Sequence, residues 1–146
     1  MINLIIFDWK RTLYDPDQQT LIDGARELLE YLKNQGIPMV LIGKGGDDMN
    51  EEVTRLGVKG YFQKVVFAQG DKDPNVFAAQ IKDSKKTLLI GDRVRSELEI
   101  GNNLGATTIW VKQGKFAEEL PENATQKPDY TVSSLNDCQD LLKSIS

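Results

Sequence analysis

An apolar run with strand character, Asn3-Leu4-Ile5-Ile6-Phe7, ends abruptly in Asp8, and Thr12-Leu13 follows close behind. A buried parallel strand delivers a carboxylate to a sheet edge in this way, where open α/β proteins place their chemistry. A second run, Leu88-Leu89-Ile90-Gly91, ends in Asp92, with Glu97 about one helical turn further on. Two strands ending in acids at one sheet edge bring Asp8 and Asp92 together. Oxygen ligands so arranged suit Mg²⁺, which binds through one or two carboxylates plus water and phosphate. Glu97 reads either as part of that shell or as a solvated first-turn acid favoured by the helix dipole. Lys10 stands where a second carboxylate would complete an acid–base pair with Asp8.

Composition narrows the chemistry further. The chain has 146 residues, no histidine, one cysteine and a formal net charge of −4. Without histidine there is no Ser-His or Cys-His pair and no usual zinc ligand, so acid–base and metal work falls to carboxylates, lysines and backbone. Cys138 has no partner for an internal disulfide, which makes a reducing compartment the default. No apolar run approaches membrane-spanning length and no signal-peptide pattern opens the chain, so the expectation is a cytoplasmic protein without membrane attachment. The mild negative charge and the lack of a Lys/Arg stripe argue against a nucleic-acid partner.

The elements that must position these residues alternate along the chain. Strands are expected at Asn3–Phe7, Pro38–Ile42, Lys64–Ala68, Thr87–Ile90, Thr107–Val111 and Tyr130–Ser133, most of them continuous apolar runs covered on both faces. Helices are expected at Leu21–Gln35, Asp47–Leu56, Pro74–Ile81 with Asp73 as cap, Ser96–Leu104, and after Ser134. Helix, glycine and strand follow one another three times, the pattern of βαβ units. The expected fold is a single Rossmann-like α/β domain over residues 1–146, a mostly parallel sheet with helices on both faces. Gln113–Lys127 is expected to be a surface excursion in which Phe116 packs, and Trp110 likewise reads as a packing residue. Gly43-Lys44-Gly45-Gly46 lacks the full phosphate-loop pattern and follows the wrong strand, so it reads as a turn.

The motifs in order resemble the haloacid dehalogenase (HAD) superfamily. They are Phe7-Asp8-x-x-x-Thr12-Leu13, Lys72-Asp73-Pro74-Asn75-Val76-Phe77, Gly91-Asp92 with Glu97, the run Asn102 to Trp110, and Lys127-Pro128-Asp129-Tyr130. The resemblance implies a HAD-like core without a cap domain, with Asp8 as a nucleophile that takes a phosphoryl group from a phosphorylated small molecule or macromolecule. It implies that Lys72 holds the phosphoryl oxygens, and that Asp8, Asp92, Glu97 and the backbone carbonyl of Lys10 hold Mg²⁺. Counting back from Phe77, the family's lysine position falls on either Asp71 or Lys72, and Lys72 reads equally as a surface charge.

The chain departs from the family where the resemblance is most demanding. Lys10 replaces the usual acid–base aspartate, Arg11 the glycine after it, and Gly43 a hydroxyl residue, with Lys44 beside it. Lys10, Arg11, Gly43 and Lys44 are therefore expected to line the site or contact phosphate. An ammonium is a poor base near neutrality, and general acid–base help is worth about 10²–10⁴ in rate, or about 3–5.5 kcal/mol. Lys10 could also weaken Mg²⁺ binding by repulsion. The expected function is a HAD-like phosphohydrolase of weak or atypical activity. The alternative is an inactive HAD-like domain that binds a phospholigand or a protein partner. A receiver domain is disfavoured, since it wants paired acids after its first strand.

Overall fold

Side chains on a strand alternate between faces, so a run of apolar residues buries into two cores at once. In the computed structural model, which describes residues 1–145, Ile5 and Phe7 enter one core while Leu4 and Ile6 enter the other. The elements in chain order are β1 (Leu4–Phe7), β2 (Tyr14–Asp15), β3 (Thr20–Leu21), α1 (Ala25–Asn34), β4 (Met39–Lys44), α2 (Asp47–Arg55), β5 (Lys64–Ala68), α3 (Pro74–Ala78), β6 (Thr87–Gly91), α4 (Glu97–Asn103), β7 (Thr107–Val111), β8 (Tyr130–Val132) and α5 (Leu135–Ile145). Six strands form one sheet in the order β5-β4-β1-β6-β7-β8, and every pairing within it is parallel. The fold is α/β, a mostly parallel HAD-like sheet with helices on both faces.

One core holds Leu28, Leu29 and Leu32 of α1 and Leu135 and Leu142 of α5; the other holds Phe77 of α3 and Leu98 of α4. Each such side chain contributes about 1.5–3 kcal/mol by leaving water. The central strand β1 is buried along its whole length. Chain order reverses around it, because β4 lies on one side and β6 on the other. That reversal opens a crevice at the carboxyl ends of the strands, where Asp8 and Asp92 emerge.

The expected strands lie where the apolar runs are, with seven of the twelve ends in place and the other five shifted by one or two residues. Two helices are shorter than expected by more than two residues. α1 begins at Ala25, four residues after Leu21, because Thr20 and Leu21 pair antiparallel with Asp15 and Tyr14 in a small ribbon. α3 ends at Ala78 because the chain tightens there: Gln80 N–H donates to Phe77 C=O and Ile81 N–H to Ala78 C=O. Bonds of that short span close a last turn. Asp73 caps α3 by accepting from Asn75 N–H at 2.9 Å, and Ser134 Oγ accepts from Asp137 N–H at 3.1 Å at the start of α5. Among the described residues, no helix is long and apolar enough to cross a membrane.

Candidate active site

Loops leaving the carboxyl ends of β1, β4, β5, β6 and β7 converge on a cavity of about 200 Å³. Its wall includes Asp8, Lys10 and Arg11 after β1, Lys44 at the end of β4, and Asp71 and Lys72 after β5. Asp92, Arg93 and Ser96 follow β6, and Phe116 belongs to the excursion after β7. Asp8 is fixed at the root, since its backbone N–H donates to Ile90 C=O of the neighbouring strand at 3.1 Å.

At the floor, one lysine joins two acids. Lys72 Nζ lies 2.9 Å from Asp8 Oδ1 and 2.6 Å from Glu97 Oε1. This resolves the register: Lys72 enters the site, while Asp71 lies exposed on the cavity wall. Glu97 is fully buried, so the solvated first-turn reading is wrong. Its Oε2 accepts backbone N–H groups from Asp92 and Arg93, each at 2.9 Å, which compensates the burial of a charge. The carboxylate packs so closely over Gly91 that a Cβ there would run into it. The glycine before Asp92 is thus required by sterics.

Thr12 completes the floor. Its buried hydroxyl lies 3.0 Å from Asp8 Oδ2 and 3.3 Å from Asp92 Oδ1. One hydroxyl proton cannot serve both acids at once, so a second proton or a cation must satisfy the pair. Asp92 Oδ2 is buried with no hydrogen-bond partner. Burial first, and then the carboxylates of Asp8 and Glu97, push the Asp92 carboxyl up to about 10. Burial and Asp8 likewise raise Glu97. For Lys72 burial is the largest influence and opposes the charge, yet Asp8 and Glu97 together outweigh it and raise the ammonium.

Asp8, Asp92 and Glu97 each offer a carboxylate oxygen, all within 4.8 Å of one another. The orphaned Asp92 oxygen and the crowded negative charge suit a small divalent cation, which would favour the ionised acids.

The residues that replace the expected motif sit differently from one another. Lys10 and Lys44 line the cavity, whereas Gly43 is buried beneath it, its Cα facing the Phe67 ring and Trp9. A Cβ on Gly43 would approach Phe67 to 2.7 Å and Trp9 Cβ to 2.9 Å, so a hydroxyl residue has no room there. Arg11 adopts φ 65°, a left-handed conformation that suits glycine and costs other residues about 1–2 kcal/mol. The turn needs that conformation because Arg11 N–H donates to Tyr14 C=O.

Two aromatic residues do more than pack. Trp110 Nε1 donates to Asp92 C=O at 2.9 Å. Phe116 forms part of the wall, with the Arg93 guanidinium 4.1 Å and that of Arg11 5.7 Å from its ring centre. Arg93 is held in turn by Glu119 at 2.8 Å. Arg93 and Ser96 were legible only as neighbours of Asp92. Phe116 carries no sequence signal, since it reaches the site from an irregular excursion.

Residues 72–138 match the family of HAD-hydrolase-like proteins. Over 131 residues the chain is 28% identical to a glyceraldehyde 3-phosphate phosphatase of Pyrococcus furiosus, covering 84% of this chain and 54% of the relative. It is also 28% identical over 148 residues to a pyrimidine 5'-nucleotidase of Streptococcus pneumoniae, covering 88% of this chain and 57% of that one. The chain spans about half the length of the curated relatives it matches. A haloacid dehalogenase-like hydrolase of Xanthomonas campestris shares the fold at TM-score 0.80 and 14% identity, over 98% of this chain and 95% of that one. Family match, motif order and fold together make the chain HAD-like, similar to HAD hydrolases in both sequence and architecture.

Proposed function

We propose that the chain is a phosphohydrolase acting through an aspartyl-phosphate on Asp8, with Mg²⁺ as its metal. The observation that carries the reading is the position of Lys72, whose ammonium binds Asp8 and Glu97 together at the floor of the cavity. A nucleophile, a phosphoryl-binding cation and two further acids thereby occupy one crevice.

Asp8 Oδ attacks phosphorus as the bond from phosphorus to the leaving oxygen breaks. Lys72 orients the attacking carboxylate and meets charge on the phosphoryl oxygens. Thr12 fixes the other Asp8 oxygen, which limits rotation of the nucleophile. Asp8, Asp92 and Glu97 would hold the Mg²⁺, which when bound draws charge from the phosphoryl oxygens. Lys10, Arg11 and Lys44 have no ion-pair partner among the described residues and supply the positive wall that receives the dianion. The non-reacting part of the substrate extends into an adjoining cavity of about 520 Å³, which shares Arg11 and is also lined by Asp15, Asp17, Gln113 and Lys115. The phosphatase relatives favour a phosphate monoester as substrate. The lone buried Cys138 fits a reducing compartment such as the cytoplasm.

Hydrolysis of p-nitrophenyl phosphate in Mg²⁺ tests the reading. Wild-type turnover is expected to drop to background in Asp8→Asn and on chelation of the metal. Undiminished turnover by Asp8→Asn would contradict it. The second reading, a phospholigand-binding domain without turnover, is favoured by Lys10 at the acid–base position. It predicts that wild type is silent, binds inorganic phosphate, and gains turnover in Lys10→Asp.

A further inference from the structure

Resting on that reading, we propose that Asp71 is the catalytic base of the hydrolytic half-reaction, in place of the aspartate that Lys10 displaces. An aspartyl-phosphate is discharged only when water attacks phosphorus, and that water must give up a proton. The chain has no histidine, and the group two residues after Asp8 is an ammonium, which has no lone pair to accept one. The base must therefore be another side chain in the cavity wall. Three acidic residues line it, Asp8, Asp71 and Asp92. Asp8 carries the phosphoryl group and is unavailable. Asp92 is buried against Thr12 and would belong to the metal shell.

Asp71 is left, and its setting suits the task. It is exposed to the solvent that supplies the water, and among the described residues its carboxylate enters no ion pair. It is anchored by its neighbour, because Lys72 is tied to both Asp8 and Glu97. Gly70 precedes it at φ 79°, a conformation that turns the chain so that Gly70, Asp71 and Lys72 all face the cavity. In the step itself a water oxygen bonds to phosphorus while the bond from phosphorus to Asp8 Oδ breaks. Asp71 takes one water proton and later releases it to solvent. Asp8 recovers its carboxylate and inorganic phosphate departs.

Pre-steady-state kinetics with p-nitrophenyl phosphate and Mg²⁺ isolate this step, because a nitrophenolate leaves without needing a proton. Asp71→Asn is expected to release a burst of one nitrophenolate per chain and then to turn over about 10²–10⁴-fold more slowly than wild type. Intact mass after acid quench should show one phosphoryl group on the Asp71→Asn chain, and Asp71→Glu should recover part of the steady rate. Asp71 is exposed, so both variants are expected to fold, with circular dichroism as the check. Asp8-dependent turnover that Asp71→Asn leaves unchanged, with no phosphoryl group retained, would overturn the assignment and spare the phosphohydrolase reading. A wild type with neither turnover nor phosphoryl capture would overturn both.

Discussion

Thr12 and Asp92 show how the site balances charge one atom at a time. The Thr12 hydroxyl stands between Asp8 and Asp92, and Asp92 Oδ2 has no protein partner. Without a cation, Asp92 therefore keeps its proton well above the ordinary carboxyl value of 3.8, up to about 10. An acid whose pKa rises on folding is protonated in the folded chain while the unfolded chain has released its proton. The folded state then binds more protons, so stability falls as pH climbs through that window. We predict that Asp92→Asn, in chelator-treated protein, is more stable than wild type by about 1–3 kcal/mol in mildly alkaline buffer. The difference should shrink towards zero below pH ~3, where Asp92 is protonated in the folded and the unfolded chain alike. Thermal melts across pH check this, and an advantage that grows with acidity would refute it. The carboxylates themselves were legible in sequence, because each ends an apolar strand. The burial of Glu97 was not, since an acid in the first turn of a helix is equally stable in solvent and nothing in its spacing shows the Gly91 surface it covers.

The small ribbon of β2 and β3 holds the turn that shapes the site. Trp9 stacks on Tyr14 with ring centres 5.0 Å apart, and Tyr14 Oη donates to Glu52 of α2 at 2.7 Å. Burial and the Glu52 carboxylate push the Tyr14 phenol up to about 12, so it remains a donor at every physiological pH. Arg55 holds Glu52 from the other side and also donates to Gln19 C=O in the ribbon. Gln113 Nε2 donates to the carbonyls of Arg11 and Thr12, each at 3.3 Å, which braces the same turn from β7. Tyr14→Phe should keep the stack but lose the tie to α2, lowering stability by about 0.5–1.5 kcal/mol in a denaturant titration. No loss would mean that packing alone holds the ribbon. Strands such as Lys64–Ala68 and Thr107–Val111 were legible from their continuous apolar runs. Two-residue strands carry no such pattern, and Leu21 fits the apolar face of α1, so helical periodicity ran on through the ribbon. Asp71 and Lys72 posed a related difficulty: on an irregular loop no period decides which side chain turns inward.

The whole molecule supplies the crevice. Parallel strands on either side of β1 bring loops that are distant in sequence to one edge, and Lys72 joins Asp8 across that edge. The general position of the site was legible because strand ends and acids coincide. The positive wall of Lys10, Arg11 and Lys44 was legible by residue type, and so was its departure from the acid–base pattern of the superfamily. The fate of Gly43 was not, because its exclusion of a side chain depends on Phe67 from a neighbouring strand. The chain spans about half the length of its phosphatase relatives, so the core and its cavity are what the likeness compares. The proposed chemistry turns on a phosphoryl group carried by Asp8. It is tested most directly by incubating the protein with acetyl phosphate and Mg²⁺, quenching in acid, and mapping the phosphorylated peptide by mass spectrometry. The expected result is a hydroxylamine-labile phosphoryl group on Asp8 that is absent from Asp8→Asn. A phosphoryl group on any other residue, or phosphate release by Asp8→Asn at the wild-type rate, would contradict it.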